Sequence, residues 1–546
     1  MKRLTLFLLF SLPFVLAQAQ HATLTLSNDF KVEGMEYKNQ TVPNAIYYHD
    51  SFYSVSTGGV SSAKWLFTKL YDVKVATTVS HFDQNMNLVS ENKVSNGEKA
   101  FGPLFPRMLL FADQLYLAYF QSKDESSFDL LLARVDEKTL AIGQPLKVCN
   151  IKQENVGITQ IEAIINSGIV YFAISPDESK MLVGCKVQQG KMQALLLDKD
   201  LNILKQGSFS MNQAGLTIPS GVLTNDGSAV FVLHSEQGFS IMALRPDLTK
   251  TNMNFKAVGE LNPYAVRCKL SRDGKSVFVF ATTALSGSED TWCTGLLVGK
   301  LDLSTFTLPK PSPYPFSPEL IQAVTEKGGG IKHKKDFFLF NFTPSLVEAA
   351  NGDITILGSP EDISMDFSKS APNMNGQSHT NATTTLNVGP VMAFFADKTG
   401  KVADPVIIPR QIILSKYASS GSGAVQMVQA PSMGTATAGF VARTIGDDIV
   451  IIYNDNVENL NKSVDVKVEA SKYASDLELA EALITKDRKL QYRKLLGEAQ
   501  HKRATFYLGN AVPSTAGNIV FPIAKEGQGF DARKTFFTNW CFVNVQ

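Results

Sequence analysis

An all-β repeat fold is what this sequence predicts, and three observations carry it. Three segments align without gaps, each an Asp-centred turn followed by an apolar run: Ser175-Pro176-Asp177-Glu178-Ser179-Lys180-Met181-Leu182-Val183, Thr224-Asn225-Asp226-Gly227-Ser228-Ala229-Val230-Phe231-Val232 and Ser271-Arg272-Asp273-Gly274-Lys275-Ser276-Val277-Phe278-Val279. Their Asp residues lie 226 − 177 = 49 and 273 − 226 = 47 positions apart. A second signal of strand, polar turn and strand follows each copy, as in Ala194 to Leu204 and Ala393 to Val402. Asp or Asn with Gly accepts the positive φ of a tight hairpin, and an unbroken apolar run after it is a strand buried on both faces. Two hairpins per unit, four strands over roughly 45 to 95 residues, are the sequence form of a β-propeller blade.

Taken in order, Ala22 to Val32 is a strand with no unit of its own. Seven units follow between about 44 and 500, with hairpins turning near Asp83, Asp136, Asp198, Asp247, Asp302, Asp397 and Lys486. Looser copies of the Asp turn occur at Ala112-Asp113, Asn351-Gly352, Gly446-Asp447 and Ala516-Gly517. The C-terminal strands Thr505 to Leu508, Asn518 to Ala524 and Thr535 to Val545 lack a fourth. Pairing the two chain ends completes an eighth blade and removes an exposed edge, so eight blades are expected, with seven as the alternative. Asp476 to Ala499 is rich in helix formers, but its apolar stripe from Leu477 through Ala480 and Ile484 runs into Asp487 and Gln491. A hairpin turning at Thr485-Lys486-Asp487-Arg488 fits better. A short helix is expected at Ser317-Pro318-Glu319, where a cap residue, a Pro and an acid precede Leu320, Ile321 and Val324.

The Ser-Pro-Asp-Glu-Ser-Lys and Ser-Arg-Asp-Gly-Lys stretches resemble the repeat of WD40-like, TolB-type propellers, whose blades carry an S-x-D-G-x turn before an inner strand. The likeness covers about 175 to 310 well and the rest loosely; the outer units lack the Ser and often the Gly. The resemblance implies fold alone, because such propellers serve as scaffolds, as lids on peptidases and as enzymes.

Composition bounds the class. Apolar residues make up 44% and charged residues 19% of the 546, which excludes a disordered chain. Met1, Lys2 and Arg3 precede an apolar stretch from Leu4 to Leu16, and Ala17-Gln18-Ala19 offers small-x-small cleavage chemistry. Residues 1–19 are therefore read as a cleaved secretory signal and 20–546 as one propeller domain, placing the protein in the periplasm or outside the cell. About 13 apolar residues are too few for a retained anchor, and no Cys adjoins the cut for a lipid. The formal charge of +1 becomes 50 − 51 = −1 without Lys2 and Arg3, which argues against a nucleic-acid partner. Five cysteines, at 149, 185, 268, 293 and 541, are too sparse for a disulfide framework and read as buried thiols; Cys268 with Cys293 is the pair worth testing.

In a four-stranded meander, the connections between strands one and two and between three and four leave at one end. The remaining connections leave at the other. The long insertions, at 284–291, 309–335, 360–389, 413–438 and 457–475, all fall on the second end, which makes that rim the expected binding face. It holds Asp290, Trp292, Tyr314, Phe316, Tyr417, Met427 and Met433 as a candidate aromatic and apolar surface, and His333 in a Lys-rich turn as a candidate contact for an anionic group. Such aromatics also commonly pin a loop to its own ring. His379, within the Asn- and Thr-rich stretch Asn373 to Thr385, reads as a lid or as disorder.

Chemistry leaves little local trace. Asp83-x-Asn85-x-Asn87 and Asp198-x-Asp200-x-Asn202 copy the first three ligand positions of a calcium loop, but lack its Gly and its closing Glu, so hairpin turns are expected and no metal. Asp290-Thr291-Trp292 ends like the Asp box of sialidase-type propellers, in one imperfect copy. No G-x-S-x-G elbow, HExxH, phosphate loop or dinucleotide motif is present, and no cofactor is expected. The expected function is a monomeric, non-catalytic module that binds a protein or glycan partner through the loop-rich face, an envelope assembly factor being one form of it. The alternative is a hydrolase or lyase of a carbohydrate or lactone, which needs convergent carboxylates at the channel.

Overall fold

The computed structural model describes residues 22–26, 44–58, 76–83, 87–94, 104–124, 127–152, 170–188, 191–210, 217–235, 238–284, 292–328, 333–334, 337–339, 345–369, 380–420, 439–459, 468–471, 477–495, 504–506, 518–526 and 535–545. Their strands form nine antiparallel sheets, eight of which are blades of one propeller. Strand β1 is Ala22–Leu26. Blade one is β2 to β5 (Asn44–Tyr48, Ser51–Gly58, Ala76–Asp83, Leu88–Val94), and blade two is β6 to β9 (Leu104–Phe111, Gln114–Asp124, Ser127–Val135, Leu146–Lys152). Blade three is β10 to β13 (Val170–Ile174, Lys180–Gln188, Lys191–Asp198, Ile203–Ser210), and blade four is β14 to β17 (Thr217–Leu223, Ala229–Ser235, Gly238–Leu244, Lys250–Asn254). Blade five is β18 to β21 (Asn262–Leu270, Ser276–Ala284, Trp292–Asp302, Ser312–Pro315), extended by β22 (His333–Lys334) and β23 (Phe337–Leu339). Helix α1 (Pro318–Gly328) lies between β21 and β22.

Blade six is β24 (Ser345–Glu348), β25 (Ile354–Gly358), β28 (Val391–Ala396) and β29 (Val402–Ile408). The ninth sheet is built from its insertions: β26 (Glu361–Lys369), β27 (Thr380–Val388) and β30 (Ile412–Ser420), in the order β26-β27-β30. Blade seven is β31 to β34 (Phe440–Ile445, Asp448–Asn456, Leu477–Ile484, Leu490–Leu495). Blade eight joins β35 (Ala504–Phe506), β36 (Asn518–Glu526) and β37 (Thr535–Val545) to β1, which pairs β37 from Ala22 opposite Val545 to Leu26 opposite Cys541. The expected joining of the two chain ends is what the fold shows.

The cores lie between blades. In most blades the second and third strands are apolar on both faces, because each face meets a neighbour; blade one is the more polar exception. Along β19 every residue from Ser276 to Thr283 is buried. Phe278 and Phe280 pack toward Ile354 and Phe394 of blade six, while Val277 and Val279 pack toward Val230 and Val232 of blade four. Similar layers join blades one and two, two and three, three and four, six and seven, and seven and eight. Tyr47 and Phe52 of blade one meet Val520 and Phe542 of blade eight, with the Tyr47 and Phe542 rings 5.2 Å apart, so the cycle of layers returns to its start.

The repeated Asp turn works as its residues require. Asp273 accepts from Ser271 Oγ at 2.6 Å and from the Lys275 N–H at 3.0 Å, with Gly274 at φ +69. Asp177 repeats the pattern, but Glu178 takes the left-handed position at φ +54 that Gly occupies elsewhere. Turns of neighbouring blades also bond to each other: the Asp177 N–H donates to Asn225 Oδ1 at 3.1 Å, and the Asn351 N–H to Asp447 Oδ1 at 3.0 Å. The Asp83 and Asp198 segments are likewise hairpin turns, each carboxylate accepting from the N–H four residues on at 2.8 Å. The β33–β34 hairpin turns at Thr485 to Lys489, and Ser317 Oγ accepts from the Leu320 N–H at 3.2 Å to cap α1, as expected.

Two expectations change. Ser312–Pro315, within the stretch read as an insertion, is the fourth strand of blade five, because the turn after Asp302 is wide: the Asp302 N–H bonds the Thr307 carbonyl and Phe306 sits at φ +53. Thr380 to Thr385, read as lid or disorder, belongs to β27. All five cysteines are free; Cys268 packs toward blade four and Cys293 toward blade six, with β19 between their strands, so the pair singled out by sequence faces opposite ways. No described helix is long and apolar enough to cross a membrane. We expect Asp273→Ala to lower stability by about 1–2 kcal/mol through loss of both turn bonds; chemical denaturation showing no loss would contradict this role.

Candidate functional site

The two ends of the ring differ. At one end the turns are mostly short, such as the two-residue His49-Asp50 and Ala112-Asp113 hairpins with both residues at positive φ, the described exceptions being those after Val135 and Asp302. The other end carries α1, β22 and β23, the three-stranded β26-β27-β30 sheet, and the 3-10 turn Val457–Asn459.

The three-stranded sheet is fastened by a layer of buried polar groups that sequence reading did not single out. Arg410 follows β29 and is 0% exposed; its Nε donates to the Gly389 carbonyl at 3.3 Å and its Nη2 to Ser359 Oγ at 2.8 Å. Those two acceptors flank the β26-β27 hairpin at its root. On blade seven, Asn459 Nδ2 donates to Asp455 Oδ1 at 2.9 Å and to the Glu469 carbonyl at 2.8 Å, while Asn459 Oδ1 accepts from the Glu469 N–H at 2.6 Å. The segment after it reaches β30, where the Ser471 N–H bonds the Gln411 carbonyl at 3.0 Å and the Ile413 N–H bonds the Ser471 carbonyl at 2.8 Å. Leu386, Val388, Ile412 and Leu477 close the junction with an apolar contact. Buried polar groups satisfied this way fix geometry, since leaving one unmade costs more than making it gains.

Glu361, the first residue of β26, adds a largely buried carboxyl to this layer. Its Oε2 is buried without a hydrogen-bond partner among the described residues, and burial pushes its carboxyl up to about 7 against the opposing pull of Arg410.

The candidates from the sequence that are described stand on blade five, just after β21, and on β30. Asp290, His379, Met427 and Met433 lie outside the described residues. Trp292 begins β20 opposite Leu339, His333 pairs with Phe338 in the β22-β23 hairpin, and Tyr417 on β30 pairs with Thr383; the backbone alone places these three. Tyr314 is on β21, where its hydroxyl donates to Asp404 Oδ1 at 2.7 Å and its ring packs on Phe316 and Phe394, so it pins the strand to blade six. Burial and the Asp404 carboxylate raise its hydroxyl pKa. Phe316 is itself buried in that layer. Among the described histidines, His81 stacks on Tyr53 and His234 on Phe239, both with pKa lowered by burial, and they stand on blades one and four. No group of three His, Cys, Asp or Glu able to hold a metal occurs among the described residues.

At the axis, the first strands of neighbouring blades lie side by side, β2 with β6, β10 with β14, β14 with β18 and β24 with β31. In blades five to seven these strands carry Arg267, Lys269 and Arg443 beside one carboxylate, Glu348.

The chain matches no protein-family profile and no curated protein. Among solved structures it is similar to the WD40 domain of SCAP from fission yeast (9% identity, TM-score 0.38, 96% of this chain and 99% of that one), to the Dos1 propeller (9%, 0.39, 96% and 96%) and to the WD40 domain of coronin from Toxoplasma gondii (7%, 0.36, 96% and 87%). The propeller assignment rests on the sheets themselves.

Burial of Glu361 makes stability depend on pH. Its folded carboxyl is a weaker acid than in the unfolded chain, so holding the ionised form in the fold is unfavourable once pH exceeds the folded value. Stability contributed by this residue is unaffected below the usual 4.5 and falls as pH rises from there to about 7. We expect Glu361→Gln to match the native protein at pH 4 and to exceed it at pH 8 by up to about 3 kcal/mol. Equal pH slopes for the two proteins in thermal melts would contradict it.

Proposed function

We propose that this chain is an exported, non-catalytic propeller that captures a partner on the sheet-bearing end of its ring. The observation that carries the reading is the β26-β27-β30 sheet. Among the described residues β26 pairs with β27 alone, so a nine-residue strand offers an open edge, and Phe367 on it is 63% exposed. An open edge with an adjacent exposed aromatic suits an extended polypeptide that adds a strand, which favours protein over glycan. The rigid polar layer beneath it supports the same reading, because a preorganised platform loses less entropy on binding.

The competing reading, hydrolysis or lysis of a carbohydrate or lactone, asks for convergent carboxylates at the axis. The described first strands of blades five to seven present three cations and one carboxylate, which favours binding over that chemistry. The monomeric state and an envelope location belong to the same proposal.

Phe367→Asp places a charge at the centre of the proposed contact without touching the ring layers. A partner recovered from the native organism's envelope fraction should bind the purified variant about tenfold or more weakly than the native chain, with unchanged melting temperature. Equal binding by the variant, or turnover of a carbohydrate or lactone by the native protein, would overturn the proposal.

A further inference from the structure

Lys269 of blade five and Arg443 of blade seven, far apart in sequence, come within electrostatic reach of each other beside the Glu348 carboxylate of blade six. Arg267 and Lys269 are alternate residues of β18 and so share one face of it, while Val266 and Cys268 between them pack toward blade four. Arg267 Nη1 donates to the Val266 carbonyl at 3.0 Å, and Lys269 Nζ crosses to blade six and donates to the Leu346 carbonyl at 3.2 Å. Arg443, exposed on β31 of blade seven, is close enough to Lys269 to act on its charge.

Glu348 at the end of β24 is the carboxylate that faces Lys269, and Arg272 already engages its residue. The Arg272 N–H donates to Glu348 Oε2 at 2.7 Å, and Arg272 Nη2 donates to the Glu348 carbonyl at 3.2 Å. The nearby Asp273 carboxylate is committed to its own turn. The Glu348 carboxylate accepts from the Arg272 backbone N–H and not from its guanidinium, so its one charge faces both Lys269 and Arg272, and Lys269 and Arg443 have no carboxylate at salt-bridge distance among the described residues. Burial lowers the pKa of Arg267 and Lys269, and for Lys269 the neighbouring Arg272 and Arg443 add to that effect while Glu348 opposes it. Like charges held together in a partly desolvated place are unfavourable alone and become favourable around an anion.

We propose that the first strands of blades five, six and seven form a binding site for a dianionic phosphoryl group, gripped by Lys269 and Arg443. Guanidinium groups give paired donors that match phosphate oxygens, and the ammonium adds a point charge, whereas a single carboxylate would leave part of the cationic excess unmatched. Lys269 and Arg443 stand just before the short turns at Ser271 and Gly446, so the site opens on the end opposite the proposed partner platform.

The test is calorimetric titration of the full chain with inorganic phosphate. We expect saturable binding of one phosphate per chain, weakened about tenfold or more in Arg443→Met and in Lys269→Met, and unchanged in Lys93→Met on blade one. Arg443 is exposed, so its variant keeps the fold and carries the test even if the Lys269 variant does not. Phosphoserine separates two sources of the same group: tighter binding than phosphate assigns the group to a larger molecule, and equal binding assigns it to the free ion, either of which supports the site. Absence of saturable binding by the native chain, or equal affinity in native and Arg443→Met proteins, would overturn it.

Discussion

Packing between blades is the interaction on which everything else depends. A single four-stranded sheet here cannot bury both faces of its middle strands; β15, β19 and β32 would each expose an apolar face without a neighbour on either side. Each buried Val, Leu or Phe contributes roughly 1.5–3 kcal/mol only when that neighbour is present. Stability is therefore a property of the cycle. The layer between blades eight and one is the thinnest described, resting on Tyr47, Phe52, Val520, Phe82 and Phe542, and β1 reinforces it by covering the β37 edge.

Closing the ring fixes where variation is tolerated. The turns that bond to one another across blades, such as Asp177 with Asn225 and Asn351 with Asp447, tie the short-turn end into a continuous rim. Insertions there would break those bonds. At the other end the connections bear no such pattern, and the chain has added a helix and a second-layer sheet. That sheet is joined through Arg410, Asp455 and Asn459 together with a small apolar contact of Leu386, Val388, Ile412 and Leu477, and the polar part specifies geometry more than it adds stability.

The ring was legible because its signals are local. The Ser-x-Asp-Gly turn, the unbroken apolar run after it and the Ser317 cap each specify a conformation within a few residues. The additions were not, for two physical reasons. Strands β26 and β27, Glu-Asp-Ile-Ser-Met-Asp-Phe-Ser-Lys and Thr-Asn-Ala-Thr-Thr-Thr-Leu-Asn-Val, carry few apolar residues among many polar ones, so their composition looks like a loop. Burial of a charge such as Arg410, or the meeting of Lys269 with Arg443 across blades five to seven, depends on closure of the ring, and no window of sequence contains both ends of that constraint. Tyr314 shows the converse: an aromatic in a presumed loop proved to be strand packing, as its Asp404 bond requires.

Hydrogen–deuterium exchange on the intact chain tests the closed ring most directly. The account predicts that the β1 amides bonded to β37, and those of β36 and β37, exchange as slowly as those of β15 and β19, because opening blade eight exposes two layers at once and couples it to the whole. Rapid exchange of β1 and β37 alongside a protected blade four would contradict a ring closed by its own two ends.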